Sequence, residues 1–167
     1  MTAAATFLED LDELERRLTK PHHVLVVANE TCDNPSLCAV IFAHVGRRAD
    51  VLVVTPALPS LASRWTSDDD SAVRRATDRM RTTVKCLQRL GMSAHGQVGD
   101  HDPVLAVEDA LRDFPADEII VFTWPEERSN WRRQNVAQRV RSRFNKRVTQ
   151  VAVKDGARPV KRDSLVG

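Results

Sequence analysis

Runs of consecutive aliphatic residues recur along the chain and predict strands that are buried on both faces. The clearest run is His23–Asn29, where four aliphatic residues in succession come before a small and a polar residue. Asp50–Pro56 and Asp117–Thr123 have the same character, Ser93–Val98 is weaker and is placed at a sheet edge, and Val148–Val153 is the last run. A strand that is apolar at every position leaves no face for water, which is typical of a parallel sheet covered by helices.

Apolar positions spaced three and four residues apart predict helices between these strands. The first helix is predicted to begin with Asn34 as its cap and Pro35 as its first residue, and to run to about Arg48. The others are predicted over Ala72–Leu90, Pro103–Phe114 and Asn135–Phe144. The helix over Ala72–Leu90 turns Val73, Ala76, Met80, Val84 and Leu87 inward, and its outer face holds Arg74, Arg75, Arg79, Arg81, Lys85 and Arg89.

A further amphipathic helix is predicted before the first strand, over Thr6–Leu18. Its leucines, Leu8, Leu11, Leu14 and Leu18, share one face, and its acidic residues precede its basic ones, as the helix dipole favours. We expect this helix to dock on the domain, with a lid or a partner contact as the alternatives. The predicted organisation is an N-terminal helix in 1–20, an α/β domain in 21–154 and a flexible tail in 155–167.

Alternation of strands and helices indicates a single α/β domain built from right-handed strand–helix–strand units. The composition suits a globular protein, since 42% of the 167 residues are hydrophobic and 29% are charged. A net charge of +2 indicates no general class of charged partner. No apolar run approaches the ~18 residues of a membrane span, and no signal-peptide pattern is present, so we expect a cytoplasmic protein.

Candidate catalytic and metal-binding residues are few. Three cysteines without a Cys-x-x-Cys spacing form neither a disulfide framework nor a zinc site. Cys32, just after the first strand, and His101, between two aspartates, are the candidates for catalysis, but neither lies in a catalytic motif. Cys38 and Cys86 are interpreted as small core residues. We therefore predict no catalytic residue and no metal site.

The triplet Asp68–Asp70 has two interpretations, because carboxylates bind divalent cations and also cap helices. Consecutive residues do not converge on one ion, so we favour capping of the helix that follows.

The order of these elements resembles that of the universal stress protein family over Pro21–Val153. The resemblance rests on the polar turn after the first strand, the long loop Pro59–Ser71, Gly99-Asp100-x-x-Pro103, and Asp117-Glu118-Ile119-Ile120-Val121. It implies a flavodoxin-like open parallel five-stranded sheet of order 3-2-1-4-5 with helices on both faces. It also implies a homodimer formed through the last strand, Val148–Val153, and in many members the binding of ATP.

The ATP-binding members of that family carry a glycine-rich stretch after the fourth strand, whose backbone amides close around phosphates. This chain has no glycine between Thr123 and Val148, and Asn29 stands where the family has an aspartate. We therefore identify a divergent member that lacks the glycine-rich ATP loop. No cofactor is certain, and ATP or another adenine nucleotide is the candidate.

A basic segment stands where the glycine loop would be. Residues 128–147 contain no acidic residue and carry Arg128, Arg132, Arg133, Arg139, Arg141, Arg143, Lys146 and Arg147, with Trp124 and Trp131 near its beginning. Guanidinium groups match phosphates and carboxylates bidentately, so one hypothesis is that these side chains bind an anion. The alternative is a solvated helix face, and we do not expect nucleic acid or a membrane as a partner.

The carboxyl ends of parallel strands form the ligand-binding edge of such sheets. The predicted ligand-binding residues are Ala28, Asn29, Glu30, Thr31, Val54, Thr55, Pro56, Gly99, Asp100, Thr123, Trp124, Arg128, Arg132 and Arg133. The function expected is that of a stress-response protein that binds a small anionic or nucleotide-like ligand without catalysis. The alternatives are a ligand-free dimeric interaction scaffold and an ATP-binding stress protein that uses the arginine-rich segment.

Overall fold

The computed structural model describes positions 10, 11, 13–15, 18–34, 36–58, 69–125, 135–153 and 160–161. The strands are β1 (His22–Val27), β2 (Ala49–Pro56), β3 (Ser93–Gly99), β4 (Glu118–Thr123), β5 (Arg147–Ala152) and β6 (Val160–Lys161). Helix α1 has its described positions at 10, 11, 13–15, 18 and 19, and the others are α2 (Leu37–Val45), α3 (Asp69–Arg89), α4 (Pro103–Asp113) and α5 (Val136–Arg143). A 3-10 turn, Glu30–Asp33, separates β1 from α2.

One sheet of order β3-β2-β1-β4-β5-β6 organises the domain. Strands β1 to β5 are all parallel, which confirms the predicted order 3-2-1-4-5. Strand β6 adds an antiparallel pair, with Val151 opposite Lys161 and Ala152 opposite Val160. The sequence prediction placed no strand after Val153, because a two-residue strand has no periodic pattern and is recognised only by its pairing.

Helices cover both faces of the sheet, and the alternation of side chains along each strand divides the core in two. On one face Val24, Val26, Val51 and Val53 pack with Leu37, Ile41 and Leu87 of α2 and α3. On the other face Leu25, Val27, Leu52 and Val54 pack with Val107 of α4 and Val136 and Val140 of α5. All four residues of Val24–Val27 are 0% exposed, so the central strand has no wet face. The central strand that the sequence predicts to be buried on both faces is therefore present.

Several predicted helix boundaries were wrong by a few residues. Helix α2 begins at Leu37 instead of Pro35 and ends at Val45 instead of Arg48, because Gly46, at a φ of 77°, donates its N–H to the Phe42 carbonyl and stops the helix. Helix α3 begins at Asp69 instead of Ala72, so Asp69 and Asp70 lie in its first turn. Acidic residues are favourable there because of the helix dipole.

Two expected apolar contacts are not made. Val73 was predicted to point inward from α3 but is 45% exposed. The leucines of α1 were predicted to dock on the domain, and in the described part of that helix Leu11, Leu14 and Leu18 are 38%, 50% and 65% exposed. Periodicity identifies an apolar helix face but not the surface that covers it. No helix in the described part of the chain combines the length and the apolar character needed to cross a membrane.

Histidines paired with carboxylates occupy the amino edge of the sheet. Glu118, at the start of β4, is 3% exposed and accepts hydrogen bonds from His44 Nε2 at 3.0 Å, His22 Nε2 at 3.3 Å and Thr149 Oγ1 at 2.7 Å. On the opposite face of the sheet, Asp50 lies 3.0 Å from His95 Nε2 and 3.5 Å from His23 Nδ1. Buried charges persist in proteins only when they are paired in this way.

These contacts decide the charge state of Glu118. Burial raises the pKa of its carboxyl, but the hydrogen bonds from His44, Thr149 and His22 together outweigh burial, and the pKa lies below its ordinary value of 4.5. A carboxyl whose pKa is lowered on folding contributes stability above its ordinary pKa, and that contribution is lost as the pH falls through the lowered pKa. Glu118 therefore stabilises the fold at neutral pH.

We expect Glu118→Gln to lower the free energy of unfolding by about 1.5–3 kcal/mol near neutral pH, the range for hydrogen bonds to charged groups. Below pH 4.5 the gap between variant and wild type should narrow, because Glu118 gains a proton in the unfolded wild-type chain there, and in the folded protein only at a still lower pH. Urea unfolding followed by circular dichroism across this pH range measures both effects. Asp113→Asn, at an exposed position at the end of α4, is the matched control. A gap that stayed constant with pH would contradict the assignment.

Candidate functional site

Polar and small residues collect at the carboxyl ends of β1 to β4, on one edge of the sheet. The predicted residues lie there as Ala28–Thr31 after β1, Val54–Pro56 at the end of β2, Gly99 and Asp100 at the end of β3, and Thr123 and Trp124 at the end of β4. Parallel strands bring these segments to the same edge, where open α/β sheets bind ligands. Arg128, Arg132 and Arg133 lie outside the described residues, so their predicted role has no structural counterpart here.

The ends of β1 and β2 are tied together at this edge. Ala28 donates its backbone N–H to the Val54 carbonyl at 3.1 Å, and the Asn29 side-chain amide donates to the Pro56 carbonyl. The Asn29 Oδ1 atom accepts a hydrogen bond of 2.8 Å from Arg79 Nη1 of α3. Asn29 is 4% exposed, so both ends of its amide are engaged within the protein. Asn29, predicted as a ligand contact, therefore joins two strands to α3.

Arginines of α3 belong to this edge, which the sequence analysis did not recognise. Arg75 and Arg79 were assigned to the outer face of α3 among exposed basic residues, but neither is exposed. Arg75 Nη1 donates to Ser71 Oγ at 3.2 Å, whereas Arg75 Nη2 is buried without a hydrogen-bond partner among the described residues. The spacing of four residues between Arg75 and Arg79 places both on one side of the helix, and this spacing was the available signal.

Buried hydroxyls without partners lie on the elements that meet α3 here. Thr31 lies in the 3-10 turn, two residues after Asn29, and Thr55 lies near the end of β2 on the sheet face that it shares with Val51 and Val53. Thr31 and Thr55 are 2% and 0% exposed, and their Oγ1 atoms have no hydrogen-bond partner in the described part of the chain. A buried polar atom left without a partner costs about 1–3 kcal/mol. Arg75 Nη2 can only donate a hydrogen bond, whereas the Thr31 and Thr55 hydroxyls can donate or accept one.

Glycine at position 99 lets α4 approach the same edge. A Cβ atom added to Gly99 would lie 2.5 Å from Ala106 Cβ and 3.1 Å from Val54 Cγ1. These distances are too short for any larger residue, so Gly99 has a packing role. Asp100 is exposed and accepts the backbone N–H of Asp102 at 2.8 Å, and Asp102 in turn caps α4 by accepting the N–H of Val104 at 2.8 Å.

The remaining candidates take up structural contacts. Thr123 accepts a hydrogen bond of 3.4 Å from Gln150 Nε2, and Trp124 is half-buried beside it in the chain. His101 is exposed and pairs with Asp100 at 3.0 Å, and Cys32 is buried. Within the described ranges, no group of three or more His, Cys, Asp or Glu residues could hold a metal ion.

The described part of the basic segment is used to attach α5 to its neighbours. Arg139 Nη2 contacts Asp102 Oδ2 at 3.1 Å, Arg143 Nη2 contacts Glu108 Oε2 at 3.1 Å, and Arg141 Nε donates to the Val148 carbonyl at 3.3 Å. Burial raises the pKa of Asp102, but hydrogen bonds from Val104 and Arg139 outweigh burial and hold that pKa below its ordinary value. Arg139 and Arg143 already pair with Asp102, the cap of α4, and Glu108 of α4. These two arginines therefore fit the predicted helix face better than a site for a bound anion.

Comparisons with known proteins agree with this architecture. No protein-family model matches the chain, and no curated protein sequence matches it. A universal stress protein from Archaeoglobus fulgidus has a similar structure, with a TM-score of 0.55 and 15% identity over 82% of this chain and 98% of the other. A universal stress protein from the same organism in complex with dAMP has a TM-score of 0.53 and 17% identity over 79% and 98% of the two chains. The chain therefore has a universal-stress-protein-like fold.

We expect Asn29→Ala to lower the free energy of unfolding by about 1–3 kcal/mol, because it leaves the Pro56 carbonyl and Arg79 without their buried partner. Asn145→Ala removes the same side chain at an exposed position and should change stability by less than about 0.5 kcal/mol. Urea unfolding monitored by tryptophan fluorescence measures both variants. Equal stability of the two would show that the bridge between β1, β2 and α3 contributes nothing.

Proposed function

We propose that this protein is a cytoplasmic, universal-stress-protein-like stress-response protein that binds a small anionic or nucleotide-like ligand without catalysis. The ligand would lie at the carboxyl edge of the sheet, between the 3-10 turn, the end of β2 and the first half of α3. The observation that carries the proposal is that three of the four buried polar atoms without a hydrogen-bond partner among the described residues, Arg75 Nη2, Thr31 Oγ1 and Thr55 Oγ1, belong to α3, the 3-10 turn and β2.

The chemistry of these atoms favours an anion over other ligands. A buried guanidinium N–H is a donor that cannot be deprotonated in proteins, so it requires an acceptor and repels cations. Hydroxyl groups of threonine can donate to the same acceptor. A phosphate or carboxylate group offers several acceptor oxygens in one place, and hydrogen bonds to a charged partner are roughly twice as strong as neutral ones.

Placement within the fold supports the same conclusion. Arg79, one helical turn after Arg75, contacts Asn29, so the arginine side of α3 faces the ends of β1 and β2. The solved structure of a relative of the same fold contains dAMP, a nucleotide with one phosphate group. We therefore propose a phosphate-bearing ligand, with an adenine nucleotide as the first candidate. In the arginine-rich alternative, Arg128, Arg132 and Arg133 would contact its phosphates.

Dimer formation is the second candidate function, and it is favoured by the first residues of β5, which do not pair with β6. Strand β6 pairs with Val151 and Ala152 and not with the first residues of β5, so Arg147–Gln150 has its outer side without a partner strand in the described sheet. Unpaired strand edges are templates for pairing with another chain. A homodimer formed through Val148–Val153 would use this part or displace β6. We expect a dimer mass in sedimentation velocity, and a monomer at all concentrations would contradict it.

The ligand proposal predicts that adenosine monophosphate raises the melting temperature of the full chain and that adenosine does not. A ligand at ~100 times its dissociation constant adds about 2.7 kcal/mol, which corresponds to several degrees in a protein of this size. Arg75→Ala should abolish this shift, whereas Arg74→Ala, at the adjacent exposed position, should retain it. Differential scanning fluorimetry with inorganic phosphate as a third probe measures the contribution of the phosphate alone.

Two results would contradict the proposal. One is an equal shift with adenosine and adenosine monophosphate, since the phosphate would then not be recognised. The other is an equal shift in Arg75→Ala and Arg74→Ala, since Arg75 would then not contact the ligand.

A further inference from the structure

Helix α1 presents an exposed apolar stripe with acidic residues on both sides. The leucines of this stripe are spaced three and four residues apart, share one side of the helix and are exposed, at Leu11, Leu14 and Leu18. Asp10 and Glu15 lie on opposite sides of this leucine stripe and are exposed as well. In the sequence, positions 9–15 contain five acidic residues and no basic one. The helix is thus suited to an apolar surface that has a basic border.

The exposed side of α3 carries a basic stripe of similar length. Exposed basic residues recur every four positions over about 12 Å, at Arg81, Lys85 and Arg89. None of the three has an ion-pair partner in the described part of the chain. Val73, which is exposed, and Val84, which is partly buried, form a row beside this basic stripe, because 11 residues make about three helical turns. The aliphatic stems of the basic side chains add further apolar area.

The basic stripe is separate from the ligand-binding edge and from the free part of β5. Arg75 and Arg79, which belong to the ligand-binding edge, are partly buried and lie on a different side of α3. Helix α3 packs beside β3, since Gly96 of that strand lies against Met80. Strands β3 and β5 are on opposite sides of β1 in the sheet. The basic stripe therefore depends neither on the proposed ligand nor on pairing through β5.

We propose that α1 of one copy docks on the basic stripe of α3 in a second copy, so that two equivalent contacts form a symmetric dimer. The leucine stripe covers Val73, Val84 and the stems of the basic residues, while Asp10 and Glu15 face the basic groups. In its own chain the leucine stripe is exposed, so it is available to a second copy. Around a two-fold axis each copy donates one α1 and receives another, which closes the assembly at two copies.

Charge complementarity favours a second copy over a nucleic acid as the occupant. The acidic helix and the basic stripe are both present once in every chain, so each copy supplies what the other lacks. Residues 69–89 contain no aromatic residue, whereas proteins that bind single-stranded nucleic acids stack bases on aromatic side chains. Contacts between exposed charges are screened by salt, so the dimer should weaken as the ionic strength rises.

A charge exchange between two variants of the full chain tests the proposal by sedimentation velocity at low salt. One variant combines Asp10→Lys with Glu15→Lys, and the other combines Arg81→Glu, Lys85→Glu and Arg89→Glu. Each variant alone should associate at least about tenfold more weakly than the wild type, because like charges then face each other. An equimolar mixture should recover the association of the wild type, since both contacts are again between opposite charges. Arg112→Glu, an exposed reversal on α4, should change nothing.

Three results of this experiment would overturn the proposal. One is association of either variant that equals that of the wild type. Another is a mixture that associates no better than its components. The third is a monomeric wild type that binds single-stranded DNA through the basic stripe, which would assign this surface to a nucleic acid.

Cross-linking locates the contact and separates it from a dimer formed through β5. A carbodiimide joins an amine to a carboxylate in contact with it, and Lys85 is the only lysine in 69–89. In a mixture of nitrogen-15-labelled and unlabelled protein, we expect a peptide pair that joins Lys85 of one copy to Asp10 or Glu15 of another. Lys85→Arg should lose this cross-link and still dimerise, because it keeps the charge. Cross-links confined to single chains, or a dimer without this cross-link, would contradict the proposed contact.

Discussion

Complete burial of β1 is the constraint on which the rest of the structure depends. Val24–Val27 has no exposed side chain, and β1 pairs with β2 on one side and β4 on the other. Removing a Val or Leu side chain from water stabilises a protein by about 1.5–3 kcal/mol, and here both faces of the strand contribute. This burial requires helices above and below the sheet, and helices that cross between parallel strands provide them. Polar side chains therefore lie at the two ends of the strands.

The two ends of the sheet carry different sets of polar side chains. At the amino edge the carboxylates Asp50 and Glu118 lie among histidines, and Glu118 has three hydrogen-bond donors. At the carboxyl edge Arg79 of α3 contacts Asn29, and Arg75 Nη2 and the Thr31 and Thr55 hydroxyls have no hydrogen-bond partner among the described residues. Glu118 at the amino edge has its hydrogen bonds within the protein, whereas the ligand proposed above would supply partners for the buried polar atoms at the carboxyl edge.

Helix α3 contributes both arginines of the proposed ligand site. It carries Arg75 and Arg79 one turn apart, and Arg79 contacts Asn29 after the end of β1. Gly96 of β3 allows this helix to lie close to the sheet, since an added Cβ would be 2.5 Å from Met80 Cγ and 2.9 Å from Val84 Cγ2. The position of α3 is thus fixed by packing, and its polar contacts depend on that packing.

The strands, their parallel order and the edge that holds the candidate site could be inferred from the sequence. Apolar runs such as Val24–Val27 and Ile119–Phe122 are local patterns, and the sheet order followed from a family resemblance that the topology confirms. Helix ends were less accurate, because the stop at Gly46 and the 3-10 turn before α2 depend on backbone angles that composition does not determine.

Only the tertiary structure decided which polar side chains are buried. Arg74, Arg75 and Arg79 are alike as residues of a basic helix, yet Arg75 and Arg79 are partly buried and Arg74 is exposed. Cys38 of α2 and Thr83 of α3 are far apart in sequence, and the Cys38 thiol reaches the Thr83 carbonyl oxygen only because α2 and α3 pack on the same face of the sheet. Local sequence determines which element a residue belongs to, because periodicity acts over one or two turns. Which side chains come into contact depends on how whole helices and strands pack, because that packing is determined by the entire core and not by any one segment.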